Sequence, residues 1–174
     1  MANLTISVDK AAVIEAIKGD TYITSSVDRG VDSVKNAGVA YNEAAGDDAH
    51  HEKKILRLIK SAVSKFAAEL AEFVDTASGG SITTTIPSGS SGNITIVMTV
   101  TSRYNSGLAD PLSGIALEYI VNMSIYGWWM SIKPDMAKNF AALATDALIY
   151  VRKCFAKTAP TATADPTSAT GTVS

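Results

Sequence analysis

LADPLSGIALEYIVNMSIYGWWMSI (108–132), a break at Lys133-Pro134-Asp135, then MAKNFAALATDALIYVRKCFAKT (136–158): this stretch decides the fold. It reads as two helices folded back on each other. Pro134 lacks a backbone donor, and its ring disfavours α geometry at Lys133. The same proline suits the first turn of the following helix, where a missing N–H costs little. Pro111 takes that place in the first helix, with Asp110 before it as the expected N-cap.

The first helix is apolar nearly all round. Leu112, Ile115, Tyr119, Met123 and Tyr126 line one side, and Leu117, Ile120, Val121, Ile125 and Trp128 line much of the other. A helix of that kind is buried, in a protein core or in lipid. The second helix is one-sided. Met136, Phe140, Leu143, Ala144, Ala147, Tyr150, Val151 and Cys154 recur at helical spacing, and Lys138, Asn139, Asp146, Arg152 and Lys153 take much of the rest. The first helix is therefore expected to be the hub and the second its cover.

Working outward, Leu4–Val8 alternates as a short half-buried strand. Asp9 then caps a short helix carrying Ala12, Val13, Ala16 and Ile17, expected to end at Gly19-Asp20. Residues 20–46 have no sustained period and read as a loop or as an arm reaching a neighbour. A long helix is expected over about 47–77, with Ile55, Leu58, Ile59, Ala62, Phe66, Leu70, Phe73 and Val74 on one stripe. About 30 residues at 1.5 Å each give roughly 45 Å, so one end is expected to project. Ser78-Gly79-Gly80 is expected to stop it. Two β-rich runs (81–87 and 93–101) joined by Ser88-Gly89-Ser90-Ser91-Gly92 read as a hairpin, its first strand a solvent-facing edge or a pairing site for a neighbour. The fold class is α+β, mainly α: one domain over 1–158, with a Pro/Thr/Ala-rich tail over 159–174 read as flexible or as a strap.

The chain has 174 residues, net charge −2, 47% hydrophobic and 18% charged residues, and mean hydropathy +0.15. It is apolar for a monomer, as expected of an assembly subunit or of an alanine-rich core. Nothing in the charge suggests a dedicated nucleic-acid binder. No basic segment followed by an apolar run opens the sequence, so no secretory signal is expected. Residues 111–132 have the length of a membrane span, but Glu118, Asn122 and the serines argue against one.

Chemistry is scarce. His50 and His51 are adjacent, so they point about 100° apart on a helix, and no third ligand stands at a metal spacing. The glycine-rich tip joins two strands and lacks the lysine of a phosphate cradle. Cys154 has no partner cysteine and no histidine near it in sequence. Glu118, on so apolar a helix, is expected to pair with Arg103, Lys133 or Arg152. No catalytic, cofactor or metal site is expected, and the chain is read as a non-enzyme. Adjacent residues cannot share one helix face, so one of Trp128 and Trp129 is expected to look outward to an interface, with Tyr104 and Tyr126 as further candidates. Lys53, Lys54, Arg57 and Lys60 form a basic face, either solvated or turned toward DNA.

The order of these pieces resembles the small head-to-tail connector, or adaptor ring, proteins of crAss-like tailed phages and related gut-bacterial phages. The residues that carry the resemblance are LTISVDKAAVIEAI with a following TYI, the acidic entry into a helix ending AAELAEFV, the strand into SRYNSGLADPLSGIALEYIV, and a Trp-bearing helix before YVRKCFAKTAP. Residues 3–160 are covered, and 23–46 depart by being longer and more polar. The resemblance implies a virion structural protein of the neck, assembled in the host cytoplasm. It implies a ring of twelve copies that binds the portal protein and adjacent tail or ring proteins and surrounds genomic DNA. Other readings are a different tail or tail-completion protein, a small helical enzyme around Glu118, Asn122 and Asp146, and a membrane-embedded phage protein using residues 111–132.

Overall fold

The structure, a computed structural model, describes residues 2–27, 44–46, 48–101, 104, 107 and 109–156. It is mainly helical with one small antiparallel sheet. The elements run β1 (Ala2–Asp9), α1 (Lys10–Val27), α2 (Ala49–Leu70), β2 (Ile82–Thr85), β3 (Asn93–Val100), α3 (Ala109–Trp129) and α4 (Pro134–Ala156).

The hub is where the sequence puts it. β1, α1, α2 and α4 all pack on α3. Residues on every side of α3 are buried, from Leu112 and Ala116 through Tyr119, Ile120, Val121, Ser124 and Ile125 to Trp128 and Trp129. The one hydroxyl in that set, on Ser124, donates to Ile120 O at 2.7 Å, which satisfies it inside the helix. Asp110 lies within the first turn of α3, not at its cap as expected, because the helix already begins at Ala109.

The sheet has the order β1-β3-β2, both pairings antiparallel. Leu4 faces Met98, Ile6 faces Ile96 and Val8 faces Ile94, and all six side chains are buried. Period-two alternation on β1 and β3 thus gives one dry face. The outer edge of β1 is closed by α3, where Ser7 N donates to Ser113 Oγ at 3.2 Å. β2 is the open edge among the described residues, and its three threonines are exposed.

Two helix ends differ from expectation. α1 does not stop at Gly19-Asp20 but continues to Val27. Ile17, Thr21 and Ser25 keep a buried stripe at four-residue spacing. The Thr21 hydroxyl donates to Ile17 O at 2.8 Å and accepts from Ala45 N at 3.0 Å, so a polar residue continues the core. Ala44 and Ala45 are buried there, which ties the end of the expected arm to the body; residues 28–43 lie outside the described residues.

α2 ends at Leu70, and two short 3-10 turns (Ala71–Phe73 and Thr76–Ser78) follow. Its 22 residues span about 33 Å, so no projecting end forms. The chain turns because Val74 is extended and Asp75 N donates to Thr99 O of β3 at 3.0 Å. Gly79, in the left-handed region at φ 73°, and Gly80 serve the turn into β2. Gly80 N donates to Asp75 O at 2.9 Å, and a Cβ there would lie 2.7 Å from that oxygen.

α4 covers α3 through Ala137, Ala144, Ala147 and Val151. Leu143 and Tyr150, expected on the covered side, are 51% and 56% exposed. Small alanines at the contact let the two helices approach closely, which leaves the bulkier flanking residues outside. No helix among the described residues is long and apolar enough to cross a membrane.

Candidate functional site

Two surfaces at opposite ends of α2 hold the chemistry. The first is the basic face. Asp48 caps the helix, its carboxylate accepting from His50 N at 2.8 Å and His51 N at 2.9 Å. These backbone donors, first of all His51 N–H, hold the Asp48 carboxyl below its usual pKa. His51 turns inward, its ring edge-on to Trp128 at 5.0 Å. Its Nδ1 lies 2.9 Å from both Gly46 N and an Asp48 oxygen. Nδ1 can accept from Gly46 N only when it is bare, so the two contacts are not made at once.

The four basic residues do not act alike. Lys54 Nζ sits 4.1 Å over the Trp128 ring and 3.4 Å from Ser131 Oγ. Burial, and then repulsion from Arg57, lowers its pKa. Lys54 thus belongs to the packing of α2 on α3. Lys53, Arg57 and Lys60 are exposed and have no ion-pair partner among the described residues. With His50, Lys53, Lys54 and Arg57 border an open depression of about 320 Å³.

The second surface is a cleft at the other end of α2, which the sequence did not reveal. It measures about 320 Å³ and lies between the 3-10 turns, the end of β3, Tyr104 and Phe155. Phe73 and Phe155 stack at 4.2 Å with 7° between planes, and Tyr104 tilts against Phe155 at 5.4 Å. The Tyr104 hydroxyl is buried and has no hydrogen-bond partner among the described residues. Burial, with a smaller contribution from Cys154, pushes its pKa up to about 12. Glu72 accepts from Arg152 Nε at 3.2 Å, and Glu69 from Arg152 Nη2 at 3.4 Å. The Asp75 side chain has no partner among the described residues. The signal that was available is the acidic turn of Glu69, Glu72 and Asp75; the aromatic floor assembles from distant segments.

The interface candidates fare differently. Trp128 and Trp129 are 1% and 0% exposed, so neither looks outward. The expectation fails because the end of α3 is enclosed on several sides: His51 and Lys54 cover Trp128, and the Trp129 indole N–H is buried without a partner among the described residues. Tyr126 and Tyr104 are half-buried. Glu118 is exposed and needs no ion pair; Arg152 serves Glu69 and Glu72 instead, and Arg103 lies outside the described residues. Asp146 is also exposed, and neither acid lines either surface described above. Among the described residues no three His, Cys, Asp or Glu converge as a metal site. Lys10, unremarked in the sequence, is 2% exposed; its ammonium donates to Pro87 O and Gly89 O and pins the β-hairpin tip. Its burial lowers its pKa.

Comparison with protein families, with characterised proteins and with solved structures finds no match to this chain.

Proposed function

We propose that this chain is a virion structural protein, one subunit of a head-to-tail connector ring that joins the portal to the tail and lines part of the DNA channel. Two things support the reading. One is the order of segments: a strand, a capped helix, a strand followed in sequence by SRYNSG, and a Trp-bearing helical hairpin. The other, and the observation that carries it, is the outer surface of α4. Most of the hub helix is covered within its own chain, yet Leu143, Ile149 and Tyr150 remain 43–56% exposed on α4. Met130 and Ile132, 45% and 40% exposed, add apolar area at the turn before α4. Apolar surface of this kind, with the open edge of β2, suits contact with neighbouring copies.

On this reading α4 and the β2 edge, and not the buried tryptophans, are surfaces open to neighbouring copies. The cations of α2 suit phosphate in the channel, and they suit a carboxylate-bearing neighbour equally well. The reading is tested by the protein composition of purified particles of the phage whose genome encodes the chain. Recovery of the chain in those particles, in the same stoichiometry as the portal, is expected. Its absence from particles that contain portal and tail proteins would end the reading. Presence in tails separated from heads would favour a different tail or tail-completion protein.

A further inference from the structure

We infer that copies of this chain meet head to tail, the cationic half of α2 of one copy seated on the aromatic, carboxylate-bearing cleft at the end of α2 of the next. The closure of such contacts into a ring rests on the connector reading; the contact itself does not.

The first argument is the direction of charge along α2. A helix favours acids at its N-terminus and cations at its C-terminus. Beyond its first turn, α2 does not follow that order. Lys53, Arg57 and Lys60 stand between its first turn and its middle, Lys65 follows, and its last turn carries Glu69 and no basic residue. The helix's own stability does not account for that order. Arg152 of α4 answers Glu69 and Glu72, but nothing among the described residues answers Lys53, Arg57 and Lys60, or Asp75.

The second argument is the chemistry of the cleft. It offers a free carboxylate on Asp75 and an aromatic floor. An alkyl stem ending in a guanidinium or ammonium suits both. The stem lies on the rings, and the N–H groups donate to the carboxylate. Exposed side chains of this type stand on the other end of the same helix, Arg57 about 20 Å from Leu70. A contact that joins two different patches is heterologous, so it propagates from copy to copy and closes where the rotation allows. Duplex DNA also takes cations, but its phosphates leave the cleft without a partner.

Charge exchange tests this in the full chain. The variants are R57E/K60E and D75K, each alone, mixed in equal amounts, and combined in one chain. Association is followed by sedimentation velocity over a concentration series at low salt. Wild type is expected to self-associate, and to do so less as salt rises. Each variant alone should associate roughly tenfold or more weakly. The equimolar mixture should recover association, because each variant's altered patch then finds its complement, and so should the combined chain. Wild type that stays monomeric throughout would overturn the inference. So would variants that associate like wild type, or a mixture that fails to recover while circular dichroism shows all variants folded. If R57E/K60E loses binding to a DNA duplex and keeps its self-association, the stripe belongs to nucleic acid and the inference falls. Complex formation with the portal protein, measured separately, reports on the ring reading whatever these variants do.

Discussion

At the scale of single residues, burial without a partner is the informative feature. Tyr104 keeps its hydroxyl in a place where nothing among the described residues bonds it. Tyr104→Phe should therefore leave stability at neutral pH unchanged or raise it by up to about 1 kcal/mol, read from urea unfolding. The alkaline behaviour follows from linkage. The folded pKa, about 12, lies above the usual 10, so folding holds the phenolic proton where the unfolded chain has lost it. The contribution of Tyr104 is complete below pH 10 and is lost as pH rises through 12. Wild type should lose up to about 2 kcal/mol more than Y104F between those values. Gly127 is a second case. A Cβ there would lie 2.6 Å from Leu58 Cδ2, the free end of a half-buried side chain that can turn. Gly127→Ala should stay within about 1 kcal/mol of wild type, because gained helix propensity offsets the rearrangement. Gly127→Leu should cost about 1–3 kcal/mol by overpacking, measured by thermal unfolding.

At the scale of elements, the starts of α1 and α2 were legible and their ends were not. Asp9 caps α1 and Asp48 caps α2, each through bonds from following backbone N–H groups. Asp48→Ala should lower the melting temperature at neutral pH. The carboxyl's folded pKa is depressed, so its contribution is present above the unfolded value and is lost as pH falls through the folded one. The gap between wild type and D48A should accordingly close in acid. The end of α1 was misread because Gly19-Asp20 looks like a stop, whereas tertiary burial of Thr21 and Ser25 carries the helix through. The end of α2 was misread for the opposite reason. Phe73 and Val74 continue the apolar stripe, but a backbone bond from Asp75 to β3 pulls the chain out of the helix. Local pattern records which face is apolar; it does not record which strand competes for the backbone.

At the scale of the whole molecule, the all-round apolarity of α3 carried the architecture. A helix with no polar side has to be enclosed, and here the chain encloses it with β1, α1, α2 and α4. What the sequence missed is how much this enclosure consumes. Both tryptophans went into the core, so the surfaces left for partners are α4, the β2 edge and the two ends of α2. The cleft was invisible because Phe73, Tyr104 and Phe155 come from three separate segments. The role proposed above, a ring subunit seated between portal and tail, stands or falls on light scattering of the purified chain, alone and after mixing with the portal protein of the same genome. A complex whose mass exceeds the portal's by a whole ring of copies is expected. Portal and chain that elute apart, each at its own mass, would contradict it.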